Sequence, residues 1–246
     1  MTRLKGHHAI ITGGGTGIGA AIARTLGAEG ACLTLVGRRR EPLEEVGCGD
    51  FDALVAPADV TDREQVDRAF ALAREAQGPI TLLINNAGAA AGVPFAKVTP
   101  DLWREILAVN LDALFHCCQA ALPDLLAAPA GRIVTVASMA GLHGFAYASP
   151  YIAAKHGAVG LTRALAAEYG RRTLRVNAVC PGFVDTDMTV QSVANITAKT
   201  GRSEEEARSE LARLNPSGRL ISPDEVAAAV LDLILSERNG EALEIA

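Results

Sequence analysis

The sequence predicts one α/β domain in three layers, doubly wound, with helices on both faces of a central, mostly parallel sheet of seven strands. The first observation behind this fold class is that short apolar runs recur between helical patterns along the whole chain. The second is the composition: 246 residues, 49% apolar and 21% charged, suffice for one hydrophobic core without disulfides. No linker or repeat divides the chain, so we treat residues 1–246 as one domain.

The seven apolar runs are the predicted strands. Each is short and is bounded by polar or glycine-containing segments, which is typical of strands buried on both faces of a parallel sheet. In chain order they are residues 9–12, 32–36, 53–57, 82–85, 132–137, 175–180 and 243–245. The segments between them are long enough for crossover helices.

Several of the intervening helices carry start signals. Apolar residues at i, i+3, i+4 and i+7 follow two of these signals, as expected for helices with one buried face. The signals are two capping-box patterns, Thr61-x-x-Glu64 and Ser222-Pro-Asp-Glu225, and the helix start Thr99-Pro100.

Residues 187–220 are the exception to the alternation of strands and helices. They form a long polar stretch in which Lys, Arg and Glu are interleaved. Long inserts in compact domains are usually functional loops. We therefore expect this insert to act as a lid over a substrate site.

Charge and cysteine pattern exclude several classes of function. The formal net charge is −5, which offers no basic field to a phosphate backbone, so we expect no nucleic-acid partner. The first apolar run is too short for a signal sequence or a membrane span, so we expect no membrane association and a cytoplasmic location. The five cysteines form no C-x-x-C pair and match no zinc spacing, so we expect reduced thiols and no metal site.

A glycine-rich turn follows the first predicted strand and reads Thr12-Gly-Gly-Gly-Thr-Gly-Ile-Gly19. Glycines permit positive φ and close backbone approach, and the following helix offers N–H groups to a pyrophosphate, as in dinucleotide-binding Rossmann folds. The strict G-x-G-x-x-G spacing is absent, but a strand before and a helix after favour a dinucleotide site over a plain tight turn. Its predicted residues are Gly13, Gly15, Thr16, Gly17 and Ile18.

The end of the second predicted strand indicates which dinucleotide is preferred. NAD-binding domains usually place an acidic residue there to bind the adenine ribose, whereas this chain reads Gly37-Arg38-Arg39-Arg40. Guanidinium groups suit a 2′-phosphate, so we expect Arg38 and Arg39 to bind one. NADP(H) is therefore the predicted cofactor and NAD(H) the alternative, in which case the arginines belong to a solvated loop.

An acid–base pair is predicted in the middle of the chain. Tyr151-Ile-Ala-Ala-Lys155 places a phenol and an ammonium on one face of a helix, and a nearby cation lowers the pKa of a tyrosine. Such a pair is common on protein surfaces. Ser138, however, follows the fifth predicted strand at the sheet edge where ligands bind in open α/β sheets, and the three together indicate an acid–base site.

Further motifs accompany these residues in a fixed order: Asp59-Val60, Asn85-Asn86-Ala87-Gly88, Asn110 and Pro181-Gly182. In this combination the chain resembles the short-chain dehydrogenase/reductase family along essentially its whole length. The resemblance implies that Tyr151 is the acid/base and that Ser138 holds the substrate oxygen. It also implies that Lys155 binds the nicotinamide ribose and that Asn110 holds a relay water. The implied cofactor site is completed by Asp59, Val60, Asn86, Ala87, Gly88, Tyr151, Lys155, Pro181, Gly182, Val184 and Thr186.

The leading hypothesis is an NAD(P)-dependent oxidoreductase that interconverts a secondary alcohol and a ketone. One alternative is a 3-oxoacyl reductase or 3-hydroxyacyl dehydrogenase, and another is a non-catalytic dinucleotide-sensing protein. The predicted substrate pocket is apolar and is formed by Ser138, His143, Tyr151, Phe183 and Met188.

The resemblance also implies a homotetramer. The helix that starts near Tyr151 carries small residues that would let a second copy approach closely, namely Ala153, Gly157, Gly160, Ala164 and Ala167.

Overall fold

A computed structural model describes residues 2–49, 51 and 53–246. The described residues form one parallel sheet with the strand order β3-β2-β1-β4-β5-β6-β7. The strands are β1 (His8–Thr12), β2 (Cys32–Gly37), β3 (Ala53–Pro57), β4 (Leu82–Asn85), β5 (Arg132–Val136), β6 (Arg175–Pro181) and β7 (Ala242–Ile245). The predicted sheet is confirmed, and every strand boundary lies within one residue of its prediction.

Nine α-helices of the described chain surround this sheet. They are α1 (Gly17–Ala28), α2 (Arg40–Gly47), α3 (Arg63–Gln77), α4 (Pro100–Leu107), α5 (Ala113–Ala127), α6 (Ser149–Tyr169), α7 (Asp187–Thr200), α8 (Glu204–Arg213) and α9 (Pro223–Leu235). Residues of α1, α2 and α9 share one hydrophobic core, and residues of α3, α5 and α6 share the other. The sheet therefore separates two apolar layers, and the three-layer fold class is confirmed.

Two of the predicted helix starts are confirmed in atomic detail. The Ser222 hydroxyl accepts the N–H of Glu225, and the Glu225 carboxylate accepts the N–H of Ser222 in return, so α9 begins with a complete capping box. The Thr99 hydroxyl accepts the N–H of Leu102 at the start of α4. These caps satisfy N–H groups that a helix leaves without internal partners.

The predicted capping box at Thr61 is wrong by one residue. Asp62 is the residue that caps α3, with its carboxylate accepting N–H groups from Glu64 and Gln65. The Thr61 hydroxyl instead donates to the Asp59 carboxylate at 2.7 Å. A carboxylate at the N-terminus also interacts favourably with the helix dipole, which favours Asp62 over its neighbour.

The predicted loop at residues 187–220 is largely helical. It contains α7 and α8, and α8 begins with a capping box between Ser203 and Glu206. Val193, Ala207 and Leu211 bury one another in a small core of the insert. The segment was expected to be irregular because its apolar residues are sparse, but two short helices that face each other need only a few.

A long apolar helical run extends over Pro100–Ala127. It is the one run in the described residues that is long and apolar enough, by length and composition alone, to cross a membrane. Core helices of globular domains pass the same test, and here Cys117, Ala121 and Leu125 pack in the core against the sheet.

A buried arginine joins the amino-terminal side of the sheet to the end of α9. Arg132 is 7% exposed, and its guanidinium donates to the carbonyl oxygens of Ile234, Gly131 and Thr173 and to the Glu237 carboxylate. The carbonyl of Ile234 belongs to the last turn of α9, where backbone acceptors lack helical partners. Arg132 therefore acts as the C-terminal cap of that helix.

We expect Arg132→Met to lower the free energy of unfolding by about 1–3 kcal/mol, because the carbonyl of Ile234 at the end of α9 loses its side-chain donor. Urea denaturation measures this change. Arg104→Met is the control, since Arg104 forms an exposed ion pair with Asp101 and exposed pairs contribute little. Equal stabilities of the two variants would contradict the capping role.

Candidate active site

The carboxyl ends of β1 and β4 are joined by side-chain hydrogen bonds. The Thr12 hydroxyl oxygen accepts the N–H groups of Asn86 and Ala87, and Asn86 Nδ2 donates to the carbonyl oxygens of Thr12 and Gly13. The order of the strands reverses at this point, since β2 and β3 lie on one side of β1 and β4 to β7 lie on the other. Such a switch point opens a crevice at the carboxyl ends of the strands, where α/β proteins bind their ligands.

The glycine-rich turn closes one wall of this crevice. A Cβ atom on Gly19 would lie 2.0 Å from the Gly13 carbonyl oxygen, so only glycine allows this approach. Gly17 has φ +49°, and a Cβ there would lie 3.2 Å from the Thr186 side chain. Thr16 precedes α1 without a side-chain cap. The first N–H groups of α1 are therefore placed beside the segment that follows β6, as a pyrophosphate site requires.

The predicted 2′-phosphate ligands lie at the exposed start of α2. Arg38 and Arg39 are exposed, and neither forms a salt bridge within the described chain, whereas Arg40 pairs with Glu44 at 3.1 Å. The two guanidinium groups are thus available to an anion at the end of β2.

Four other residues predicted for the cofactor site belong to the glycine-rich turn and to the loop after β3. Gly15 packs against the first turn of α2, and Ile18 is partly buried against the core. Val60 is buried. The Asp59 carboxylate accepts both the N–H and the hydroxyl of Thr61. These contacts fix the loop after β3 at the crevice.

Asn110 lies in a π-helical turn, Ala108–Asp112, between α4 and α5. The side chain is buried, and its Nδ2 donates to the carbonyl oxygens of Ala89 and Ile106. A Cβ on Gly88 would lie 2.8 Å from Asn110 Oδ1. The π turn therefore fixes Asn110 against the loop after β4, and both hydrogens of its amide are used within the protein.

Ser138, Tyr151 and Lys155 come together beyond the end of β5. Lys155 is buried, and its Nζ donates to the Val136 carbonyl at 2.9 Å. The same Nζ lies 5.6 Å from the centroid of the Tyr151 ring, so the predicted shared helix face is confirmed. Ser138 Oγ accepts the N–H of Ala140 at 3.1 Å, which leaves its hydroxyl hydrogen for Tyr151 or a ligand.

In this structure the pKa of Tyr151 moves in the direction opposite to the one expected from Lys155 alone. Burial raises the pKa of Tyr151, and the hydrogen bond with Ser138 opposes this rise only in part. The ammonium lies over the ring and donates to the backbone. Burial also lowers the pKa of Lys155 to about 8. The loss of hydration thus dominates both groups, and the phenol is protonated at neutral pH.

The segment after β6 forms the wall opposite α6. Pro181 is buried, and Val184 pairs with Ile221 in an isolated parallel bridge. Thr186 Oγ1 donates to the Val184 carbonyl at 3.4 Å. Gly182 N–H donates to the carbonyl of Ile245 at the end of β7. The predicted cofactor residues 181–186 therefore lie in one fixed segment at the crevice.

The residues predicted to form the substrate pocket lie in different surroundings. Met188 is 43% exposed. Phe183 packs with the small core of the insert. His143 is exposed, and its Nε2 lies 3.5 Å from the Glu244 carboxylate, so in this structure it pairs with the last strand. The other two predicted pocket residues, Ser138 and Tyr151, are part of the acid–base site itself.

Hydrogen bonds connect three segments at the rim of the crevice. Lys199 Nζ, near the end of α7, donates to the Gly92 carbonyl at 3.0 Å. The N–H of Val93 donates to the Tyr147 carbonyl at 2.7 Å, and Tyr147 has φ +65°, a strained value for a residue other than glycine. The insert, the loop after β4 and the segment before α6 thus meet above the site.

Sequence reasoning missed three groups at the site. The Thr12 hydroxyl joins β1 to β4, the Val136 carbonyl holds Lys155, and Asn215 accepts the N–H of Phe183. The sequence offered no signal for these groups, because the bonds of Thr12 and Asn215 go to backbone atoms and the partner of Lys155 is itself a backbone carbonyl. In the described residues, no group of three or more His, Cys, Asp and Glu side chains is placed to hold a metal ion.

Comparison with known proteins places the chain among enzymes. The family model for short chain dehydrogenases matches residues 7–197. Galactitol 2-dehydrogenase (L-tagatose-forming) of Cereibacter sphaeroides is 39% identical over 94% of this chain and 89% of its own length. The protein named as ketoacyl reductase 1 of the granaticin polyketide synthase of Streptomyces violaceoruber is 38% identical over 93% of this chain and 86% of its own length.

A solved structure is also similar over nearly the whole length. A single-residue variant of actinorhodin polyketide ketoreductase, crystallised with NADPH, superposes with a TM-score of 0.93 at 34% identity, covering 98% of this chain and 95% of that protein.

The lowered pKa of Lys155 predicts how stability depends on pH. Between about pH 8, its folded-state pKa, and 10.5, its ordinary value, the unfolded chain holds a proton that the folded chain has lost. The free energy of unfolding of the wild type therefore rises with pH in this window, relative to Lys155→Met, which has no such group. Urea denaturation of both proteins at pH 7 to 10 measures the difference, with Lys97→Met as an exposed control. A constant difference would contradict the shift.

Proposed function

The chain belongs to the short-chain dehydrogenase family, and we propose that it interconverts a secondary alcohol and a ketone with a nicotinamide dinucleotide as cofactor. The observation that carries this proposal is the arrangement of Ser138, Tyr151 and Lys155 beside a glycine-rich helix N-terminus. When bound, the nicotinamide exchanges a hydride with the carbon that carries the oxygen. The residues of the chain must then hold that oxygen and move its proton.

Tyr151 is the proposed general acid in the direction of ketone reduction. Because burial raises its pKa, the phenol carries the proton that the substrate oxygen needs as negative charge develops there. Ser138 is the proposed second donor to that oxygen, since its hydroxyl hydrogen is not used by its contact with Ala140. In alcohol oxidation, the same phenol oxygen takes the proton back.

Lys155 and Asn110 are proposed to support this step. Lys155 is proposed to bind the nicotinamide ribose, since its ammonium is buried at the floor of the crevice. Asn110 is proposed to take part in proton relay. Both hydrogens of its amide are used within the protein, so a relay water would donate to a carbonyl oxygen of Asn110 rather than accept from its amide.

The residues of the crevice fit a dinucleotide. The glycine-rich turn would hold the pyrophosphate, and the loop after β3 with Asp59 and Val60 would hold the adenine. The loop Asn86–Gly88 and the segment after β6 would line the nicotinamide half. The close approach of Gly17 to Thr186 supports this reading, because it brings the proposed pyrophosphate and nicotinamide walls together.

The substrate class is proposed as a ketone or secondary alcohol with an apolar body, covered by α7 and α8. Two relatives favour a second candidate, a 3-oxoacyl reductase or 3-hydroxyacyl dehydrogenase, because one is named as a ketoacyl reductase and the other is a polyketide ketoreductase. A dinucleotide sensor without turnover is disfavoured, since it has no need of the complete Ser138, Tyr151 and Lys155 set.

The experiment that tests these candidates measures oxidation of NADPH and NADH with a panel of ketones. Cyclic ketones, aliphatic ketones, ketoses and 3-oxoacyl thioesters form the panel, and the matching alcohols test the reverse direction. Turnover of a thioester alone would select the second candidate. Dinucleotide binding without turnover of any member would overturn the proposal in favour of a sensor.

We also propose a cytoplasmic homotetramer. Trp103 and Phe115 on the α4–α5 run are exposed, as are Ala153, Gly160 and Ala164 on α6. These residues would let a second copy bury apolar surface and approach α6 closely. Gly157 does not belong to this face, contrary to its prediction. A Cβ there would lie 2.9 Å from the Leu111 side chain of the same chain, so Gly157 serves internal packing.

Tyr151→Phe should lower kcat by about 10² to 10⁴-fold, because it removes the proton that general acid catalysis supplies. Affinity for NADPH, measured by its fluorescence, should remain close to that of the wild type. Tyr147→Phe is the matched control, as Tyr147 is exposed four residues earlier and its variant should retain full activity. A Tyr151→Phe variant that kept more than a tenth of the rate would exclude Tyr151 as the acid.

The wild type should prefer NADP(H) over NAD(H), since each guanidinium–phosphate hydrogen bond contributes about 1.5–3 kcal/mol. The double variant Gly37→Asp with Arg38→Leu should shift the ratio of kcat/KM values toward NAD(H). A Cβ at position 37 would lie 3.4 Å from its nearest neighbour, so the aspartate fits. Arg40→Leu is the control, because Arg40 pairs with Glu44. An unchanged ratio in the double variant would show that Arg38 does not bind the phosphate.

Analytical ultracentrifugation at micromolar concentration should give four times the chain mass. Ala164→Glu should dissociate the assembly, because it places a charge on the face of α6 that the second copy would cover. Leu72→Glu on α3 is the control, since Leu72 is exposed on a different helix. A wild type that sediments as a monomer would remove this proposal.

A further inference from the structure

Asn215 is a buried asparagine that lies after α8, where the insert returns to the body of the protein. Its side chain makes three hydrogen bonds to backbone groups. Oδ1 accepts the N–H of Phe183 at 2.8 Å, and Nδ2 donates to the carbonyl of Phe183 at 2.9 Å and to the carbonyl of Arg219 at 2.6 Å. The residue is 2% exposed. The carboxamide thus pairs with both backbone groups of one residue, Phe183, much as a neighbouring strand would.

This pairing extends a short ladder beyond the end of the sheet. The N–H of Ile221 donates to the Phe183 carbonyl, and the N–H of Asp185 donates to the Ile221 carbonyl, in the bridge that joins Val184 to Ile221. Asn215 adds the partner that the N–H of Phe183 needs. The segment after β6 is therefore held on its outer side by Asn215, near the end of the insert, and by Ile221, directly after it.

Asn215 also determines which residue is possible at position 182. A Cβ on Gly182 would lie 2.2 Å from Asn215 Oδ1 and 3.0 Å from the Met139 sulfur. The carboxamide thus rests directly on the backbone of Gly182. From there the segment runs to Thr186, whose side chain lies beside Gly17 of the glycine-rich turn.

We infer that Asn215 is a positioning residue that fixes the backbone at Phe183, and with it the wall of the site that faces the nicotinamide. The inference rests on the proposed function, since it assigns residues 182–186 to the nicotinamide half of the cofactor. A carboxamide bound to both the N–H and the C=O of one residue holds that residue in register, as a neighbouring strand does. Loss of the carboxamide leaves the N–H of Phe183 without its partner, so the backbone there is held less firmly, by the remaining bonds of the segment to Ile221 and Ile245.

The first experiment compares Asn215→Ala with Asn177→Ala. Asn177 is a matched control because it is also buried and its side chain also joins two backbone groups, the carbonyl of Arg238 and the N–H of Glu241. It lies near the amino end of β6, away from the crevice. Both variants should lose similar stability, and only Asn215→Ala should affect the nicotinamide half.

Three measurements show this difference. Hydrogen exchange of the peptide containing Phe183 should accelerate in unliganded Asn215→Ala and not in Asn177→Ala. NADPH should bind Asn215→Ala about tenfold more weakly, as expected for losing hydrogen bonds that order its site. The affinity for 2′-phospho-ADP-ribose, which lacks the nicotinamide, should stay unchanged.

A fourth measurement follows the reaction itself. With NADPH deuterated at one or the other C4 position, the wild type should transfer the hydride from one face only, and Asn215→Ala should transfer a measurable fraction from the opposite face. Wild-type protein that binds neither NADPH nor NADH would overturn the proposed function. Wild-type binding and turnover, with equal behaviour of the Asn215 and Asn177 variants, would overturn only the positioning role.

A second experiment tests the contact between Asn215 and Gly182 without activity. Gly182→Ala should be strongly destabilising alone, because its methyl group collides with the carboxamide. In the double variant with Asn215→Ala the collision is absent, so its loss of stability should be clearly smaller than the sum of the two single losses. Additive losses would show that the two residues do not constrain each other.

Discussion

The hydrogen bonds between Thr12 and Asn86 are the contact on which the rest of the site depends. They join the ends of β1 and β4, two strands that are neighbours in the sheet but are separated along the chain by β2 and β3. The glycine-rich turn leaves this junction on one side, and the loop that Asn110 holds leaves it on the other. The π-helical turn, which places Asn110, and the carbonyl of Val136, which holds Lys155, are positioned relative to the same edge.

Much of this arrangement could be predicted from the sequence. Strands buried on both faces must be apolar along their whole length, so seven apolar runs gave the sheet to within one residue. The cap of α9 and the glycine-rich turn could also be predicted, because each depends on residues that are close together in the sequence. The pairing of Tyr151 with Lys155 followed from helix periodicity, and the resemblance to a known family brought Ser138 to them.

The rest depends on contacts that no local pattern contains. The cap of α3 shifted from Thr61 to its neighbour because two oxygen-bearing residues competed for the same N–H groups. The pKa of Tyr151 is raised because the effect of burial exceeds that of the hydrogen bond with Ser138. Burial is a property of the complete fold and cannot be read from a local pattern. Phe183 turned toward the insert because α7 and α8 form their own small core, which the polar composition of residues 187–220 concealed.

That small core has an evolutionary consequence. Because α7 and α8 bury one another and are attached to the body of the protein by a few bonds, such as those of Asn215 and Lys199, most of their residues are exempt from the constraints of the main core. Substitutions that reshape the cover of the site would leave the sheet, the glycine-rich turn and the acid–base groups intact. A fold built in this way can diverge in substrate while its chemistry stays the same.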